Sequence, residues 1–515
     1  MDRFKDTGSY FVWLLFVAVS IMSFTGCGSL PARTWESSTA LDMDEARQTR
    51  LGQAIAPITA RNQDLTGIFV LENSRKAFAS RALLSEAAEK SIDVQYYIWR
   101  NDITGTLLLN GLLDAANRGV KVRLLLDDMN GDELEPLLLA LNCHENVQVR
   151  LFNPFRHRRV RAIDYVTDLS RINRRMHNKS FTVDNTATII GGRNVGDEYF
   201  GASDEFTFSD VDVLAIGPVV EEVSEDFDRY WASKSAYPLE KIVNKTALNS
   251  SFLAQTAKEI RESARADKYI EALHADTSIQ ALVRHDLPFI WAPTYMLSDD
   301  PIKGIGKAAP EGLLSTSLEE IIGSAVSSVT IVSAYFVPTK AGAKSIINLV
   351  ESGVAVTILT NSLEATDVAA VHSGYARHRR RLIEAGVRLF EMRGAEQKTN
   401  MSVFGSSAAS LHAKTFAVDS KKVFIGSFNF DPRSANLNTE LGFIVESPVL
   451  ALRVEDIFET RAHNYYQLKL NSHGDLFWLE QKDGIEIRHD REPYTGWWKR
   501  FSVTMLSILP IDWLL

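Results

Sequence analysis

The feature that most restricts how this chain can fold is a long internal repeat, in which one order of strand, helix and strand is written twice. Ser91-Ile-Asp-Val-Gln-Tyr-Tyr-Ile-Trp99 is β-rich, residues 107–116 carry a helical apolar pattern, and Arg118-Gly-Val-Lys-Val-Arg-Leu-Leu-Leu-Asp127 returns as a buried strand. The second copy runs through Ser328-Val-Thr-Ile-Val-Ser-Ala-Tyr-Phe336, a helix over 342–351, and Ser352-Gly-Val-Ala-Val-Thr-Ile-Leu-Thr-Asn361. Strands alternating with helices predict βαβ units, hence an α/β fold with mostly parallel sheets. At 515 residues the chain exceeds one ordinary core. Two duplicated domains are expected, at 65–265 and 266–490.

A second repeat sits inside the first. His177-Asn-Lys179-Ser-Phe-Thr-Val-Asp184 is followed by Gly191-Gly-Arg-Asn194, and His412-Ala-Lys414-Thr-Phe-Ala-Val-Asp419 by Gly426-Ser427-Phe-Asn429. In both copies the glycine lies 7 residues past the aspartate and the asparagine 3 beyond it. The separations Gly119-to-His177 and Gly353-to-His412 are 58 and 59 residues. Chance does not produce two His-x-Lys-x4-Asp motifs with matching trailers in matching places.

Both motifs read as strands, where residues i and i+2 face the same way. His177 and Lys179 are therefore presented together, as are His412 and Lys414. Asp184 and Asp419 have the opposite parity, at a turn, which suits support better than chemistry. One histidine can attack a phosphodiester phosphorus, and a second can protonate the leaving oxygen and then deprotonate an incoming hydroxyl. Lys179, Lys414, Asn194 and Asn429 can hold the non-bridging oxygens as charge builds. No metal or other cofactor is needed for this chemistry, and no metal-ligand motif stands out.

With these motifs, and with Asp93-Val-Gln-Tyr-Tyr-Ile-Trp99, Arg174-Arg-Met-His-Asn-Lys179 and Ile425-Gly-Ser-Phe-Asn-Phe-Asp-Pro-Arg-Ser434, the chain resembles the phospholipase D superfamily. Within that superfamily it is most similar to bacterial cardiolipin synthases of the C type. The resemblance implies two pseudo-twofold α/β/α domains with both histidines at their interface, and ping-pong chemistry through a phosphohistidine, His177 being the favoured nucleophile. It further implies transfer of a phosphatidyl group to phosphatidylglycerol, with phosphatidylethanolamine as a possible donor. An acidic residue on the strand after the Gly-x-x-Asn element would orient each imidazole. Glu440 fits in the second half and Asp212, of Asp210-Val-Asp212, in the first, with Ser427 as further support. The same residues could serve a hydrolytic phospholipase with water as acceptor, a nuclease, or a non-catalytic lipid-binding scaffold.

The net charge of −9 argues against nucleic acid as partner. Phospholipids and a membrane surface are the expected partners. Arg3 and Lys5 precede an apolar run over 11–24 and then Thr25-Gly26-Cys27, so 1–27 reads as a signal peptide with a lipobox-like, lipidated Cys27. That places the protein on the periplasmic side of a bacterial membrane, with the outer membrane favoured by Gly28. Residues 28–64 read as a tether with a short helix around 43–55. Cys143 reads as a buried small hydrophobe. The basic runs at 156–161 and 377–381 read as solvated faces, and headgroup contact is the sharper alternative. Residues 491–515 form an apolar, aromatic tail, either interfacial or packed on the second domain.

Overall fold

A computed structural model describes residues 30–508 apart from 33, 72, 130–131, 202–206, 245–247, 395–408, 461 and 483. The expected signal and Cys27 lie outside the described residues. The first sheet has nine strands, in the order Ile290–Ala292, Thr66–Leu71, Asp212–Ile216, Ala187–Gly191, Ser180–Val183, Ser91–Tyr96, Lys121–Asp127, Val147–Phe152 and Ala236–Pro238. The second has ten, in the order Thr294–Ser298, Leu441–Glu446, Lys422–Gly426, Lys414–Val418, Ser328–Ser333, Ala355–Asn361, Arg388–Met392, Tyr465–Leu470, Leu476–Lys482 and Ile485–His489.

The duplicated α/β architecture is as expected, and the sheets themselves are mixed. Within these two sheets, among the described residues, parallel pairing is confined to Ser91–Tyr96, Lys121–Asp127 and Val147–Phe152, and to their counterparts Ser328–Ser333, Ala355–Asn361 and Arg388–Met392. Parallel neighbours need a crossover helix. Only these stretches have one, in Ile103–Asn117 and Thr339–Glu351 among others. Each motif strand instead turns straight back on its neighbour and pairs antiparallel.

Each sheet has its own apolar core, and a third core joins them. Ile68, Ile190, Val213 and Ala215 of the first sheet pack with Ala417, Ile425, Phe443 and Val445 of the second, all buried. The halves thus meet through the strands that carry the motifs.

Three expectations need correction. The boundary at 265/266 falls between helices Ser250–Arg261 and Asp267–Ala275, yet both pack on the first core, through Leu253 and Tyr269. The chain passes from one sheet to the other between Ala292 and Thr294, because Ile290–Ala292 still pairs with Thr66–Leu71. The described part of the tether is docked: Arg150 Nη2 donates to Glu36 O at 2.8 Å, Arg123 Nη1 to Ser38 O at 2.8 Å, and Ala40 N to Asp228 at 2.8 Å. Buried arginines needing acceptors hold it down, which composition could not reveal. Cys143 is exposed, capping the helix Glu135–Asn142.

The basic runs are divided: Arg156, Arg159, Arg380 and Arg381 are exposed, while others turn inward. Arg158 pairs with Asp128 and Glu135, Arg161 with Asp132, and buried Arg379 with Glu391 and Glu492. The C-terminal helix Trp497–Ile508 packs on Ala369–Ala376 and leaves its aromatic residues outside.

Candidate active site

Each motif is a strand of β-branched and aromatic residues that ends in a tight turn. In the turns, Asp184 and Asn185 adopt φ of 50° and 48°, and Asp419 and Ser420 of 54° and 52°, the left-handed region that Asp and Asn tolerate best. There the aspartates are anchors. Asp184 accepts the backbone N–H groups of Glu89, Lys90 and Ser91, and Asp419 those of Val326, Ser327 and Ser328. Each carboxylate thus fixes the start of the neighbouring strand, Ser91–Tyr96 or Ser328–Ser333, and lies at the far end of its own strand from the histidine.

At the other end the two halves hold each other. Met176 bridges Thr439 in parallel, with His177 N donating to Thr439 O at 2.8 Å and Thr439 N to Arg175 O at 2.9 Å. The equivalent contact pairs Thr207–Ser209 with Ala409–Leu411, Ser209 standing opposite Leu411. The residues that follow each bridge are the important ones: His177 beside Glu440, and Asp210 beside His412.

Glu440 Oε2 lies 2.8 Å from His177 Nδ1, and Asp210 Oδ2 lies 2.5 Å from His412 Nδ1. The carboxylates are therefore crossed, each coming from the half opposite its histidine. Glu440 was expected to serve its own half. Asp212 fails as a partner: it is buried against Arg81 at 2.7 Å and Arg193 at 3.5 Å. Sheet register gives the reason. Gly191 pairs with Asp212 and Gly426 with Gly442, so Asp212 corresponds to Gly442 and Asp210 to Glu440. A Cβ on Gly426 would lie 2.4 Å from Leu441 O, and one on Gly191 2.6 Å from Val211 O. The motif glycines let the carboxylate-bearing strand come this close.

The lysines behave as parity requires. Lys179 Nζ donates to His177 O and Lys414 Nζ to His412 O, so each lies on its histidine's side of the strand. Ser427 supports Glu440, its hydroxyl donating to Oε2 at 2.5 Å, while Ser427 O lies 3.1 Å from His177 Nδ1. Asn194 accepts Ile98 N–H at 3.2 Å, and Asn429 N donates to Ser434 Oγ at 3.3 Å; both side chains are buried. Residues with no motif signal complete the walls. Tyr97 packs edge-on against the His177 ring at 5.0 Å, and Tyr199 against His412 at 5.3 Å. Tyr97 lies inside the quoted strand repeat, and that was the only signal for it.

Burial, with Lys179 and Lys414 adding to it, holds both imidazoles well below their usual range, so both are neutral near pH 7. Burial pushes Glu440 up to about 7 against the pull of Lys179, and draws Lys179 down to about 7. Asp210 is raised and Lys414 lowered by the same desolvation. At His177, Nδ1–H can donate to Glu440 and to Ser427 O, which leaves the Nε2 lone pair free. The arrangement offers one fixed nucleophile, one proton carrier and two cations in a buried cleft. Among the described residues no cluster of three or more His, Cys, Asp or Glu could hold a metal ion.

The chain is similar to known proteins in sequence and fold. The family model described as "Cardiolipin synthase, PLD-like domain" matches residues 81–231 and 318–462, once in each half. Cardiolipin synthase C of Escherichia coli (strain K12) is 48% identical over 471 residues, covering 90% of this chain and 100% of the relative. Cardiolipin synthase A of Pseudomonas putida (strain KT2440) is 26% identical over 456 residues, covering 88% and 78%. Among solved structures, phosphatidylserine synthase of Haemophilus influenzae Rd KW20 is similar in fold, with a TM-score of 0.52 at 14% identity over 80% of this chain and 91% of that one.

Proposed function

The chain belongs to the cardiolipin synthase family built from phospholipase D-like domains, and on that premise we propose that it moves a phosphatidyl group onto the hydroxyl of phosphatidylglycerol through a phosphohistidine on His177. The observation that carries the reading is the pair of neutral, buried imidazoles, each held at Nδ1 by a carboxylate from the other half, with a lysine beside each.

In the first step His177 Nε2 forms a bond to phosphorus and the bond to the headgroup oxygen breaks. That oxygen takes the proton from His412 Nε2. An incoming phosphodiester monoanion offsets the positive field of Lys179 and Lys414, which raises His412 towards the protonated form this step needs. Asp210 stabilises the imidazolium, and Glu440 the cationic ring formed on phosphorylation. In the second step neutral His412 removes the hydroxyl proton of phosphatidylglycerol, whose oxygen attacks phosphorus as the bond to His177 breaks. Lys179 and Lys414 stabilise the charge on the non-bridging oxygens in both steps, with Asn194 and Asn429 beside them. The products are cardiolipin and the donor's free headgroup alcohol, ethanolamine if phosphatidylethanolamine is the donor. Water in place of the second lipid would give hydrolysis instead. Purified protein given labelled phosphatidylglycerol, with and without phosphatidylethanolamine, should yield labelled cardiolipin. Labelled phosphatidic acid alone would reduce the activity to hydrolysis.

The N-terminal pattern supports a lipid-modified Cys27 and a periplasm-facing position. Mass spectrometry of membrane-purified protein should find a diacylated Cys27 as first residue; an unmodified Cys27 would remove this part of the reading.

A further inference from the structure

The helix Trp497–Ile508 wears its most apolar arc outward. Trp497, Trp498, Phe501 and Met505 are 68%, 64%, 49% and 50% exposed, while Val503 is 5% exposed. Lys499, Ser502, Leu506 and Ser507 on the packed side are half-buried. At the helical turn per residue, the four exposed side chains fall within an arc of roughly 100°. A helix whose task was only to pack on protein would turn that arc inward. Instead the aromatic residues pack on one another: Trp497 stands edge-on to Trp498, and Trp498 stacks on Phe501.

The position of this arc matters. The helix rests on Ala369–Ala376, just after Asp367. Asp367 accepts the Tyr335 hydroxyl at 2.8 and 2.9 Å, and its charge bears both on Lys414 in the catalytic cluster and on Lys499 of the helix. The helix therefore packs beside the segment that carries Asp367, whose charge reaches the catalytic cluster. Between residues 493 and 511 the chain carries Lys499 and Arg500 and no acid, against a net charge of −9 overall. Tryptophan with flanking cations suits the headgroup layer of an anionic bilayer. A second copy of the chain is disfavoured, because four such side chains offer on the order of 500 Å², short of the roughly 800 Å² per partner that stable protein interfaces bury.

We propose that this helix is the surface by which the protein lies on an anionic phospholipid bilayer, bringing its active site down to the lipid headgroups. The choice of occupant rests on the phosphatidyl-transfer reading. The test uses the full chain with vesicles of phosphatidylglycerol brominated along its acyl chains, which quench tryptophans that reach them. Wild type should be quenched and Phe501→Asp/Met505→Asp quenched less. The tryptophans outside the helix are the same in both proteins, so the difference reports on the helix. The double variant should lose roughly tenfold or more of vesicle turnover through apparent KM, with kcat kept on a short-chain phospholipid below its micellar concentration.

Equal quenching in wild type and variant overturns the proposal. So does a matching loss on the soluble substrate, which would make the helix a support for the site, or a wild-type dimer in light scattering that the variant dissolves. Quenching that is lost in the variant, in a protein that makes no cardiolipin, would uphold docking while the transfer reading fails.

Discussion

Replacing Glu440 with glutamine tests the crossed site at its centre. Glu440 is fully buried, and its Oε2 meets His177 Nδ1 at 2.8 Å. Glutamine keeps the size and one acceptor oxygen but removes the negative charge opposite the ring that turns cationic when His177 bonds phosphorus. At an effective dielectric near 20, that charge pair at about 4 Å between centres is worth about 4 kcal/mol. The retained neutral hydrogen bond returns about 1 kcal/mol of it. A net loss of about 2–4 kcal/mol predicts a rate of phosphohistidine formation about 30- to 1,000-fold slower. Rapid acid-sparing quench with a donor phospholipid radiolabelled in its phosphatidyl group measures that rate directly. Imidazole nitrogen NMR on the same variant should shift His177 and leave His412 nearly unchanged, since the carboxylate of His412 is Asp210. Formation within threefold of wild type, or a shift confined to His412, would refute the crossed assignment.

Four further outcomes are expected. His177→Ala and His412→Ala should each abolish turnover while leaving the thermal transition within a few degrees of wild type, because nucleophile and proton carrier cannot replace one another. Asp212→Asn should instead destabilise the fold by about 3–5 kcal/mol in denaturant titration, by stranding buried Arg81, and spare turnover per folded molecule. Because burial brings both Glu440 and Lys179 to about 7, and each acts in its ionised form, kcat/KM should peak near pH 7, and Glu440→Gln should flatten the rising, acid limb. For Glu440 the sign for stability is opposite: the folded state holds its proton more tightly than the unfolded one, so the contribution is full below the ordinary glutamate range and is lost as pH rises through about 7. Turnover should survive exhaustive chelation, with Lys179 and Lys414 carrying the stabilising charge; loss of activity restored by one divalent ion would contradict this.

Much of the fold and half of the site could be read from local pattern, because period-2 alternation and motif spacing are local properties. Parity alone put Lys179 and Lys414 beside their histidines and sent Asp184 and Asp419 to the far turn, as observed. Parity could not choose between Asp210 and Asp212, which are two residues apart and share a face of the strand. The choice needed the register against Gly191, set by hydrogen bonds between strands far apart in sequence. The antiparallel flanks of both sheets were missed for a related reason: strand–helix–strand spacing reports the crossovers and is silent about strands that return by turns. The domain boundary was placed too early, since Tyr269 and Leu282, both beyond residue 265, are buried in the first core.

The crossing itself follows from where the bridges lie. Met176 with Thr439, and Ser209 with Leu411, are equivalent contacts, each running between halves and each one residue before an acid–histidine pair. A single half therefore contains a histidine without its carboxylate and a carboxylate without its histidine. Cut apart, each would expose the aliphatic faces around Ile190 and Val213 or Ile425 and Phe443 that now bury one another. It would also leave an imidazole free to rotate at Nδ1, so that no tautomer is held for attack or proton transfer. The interface that buries apolar surface is thus the same one that fixes both rings, and the chemistry cannot be assigned to either half alone.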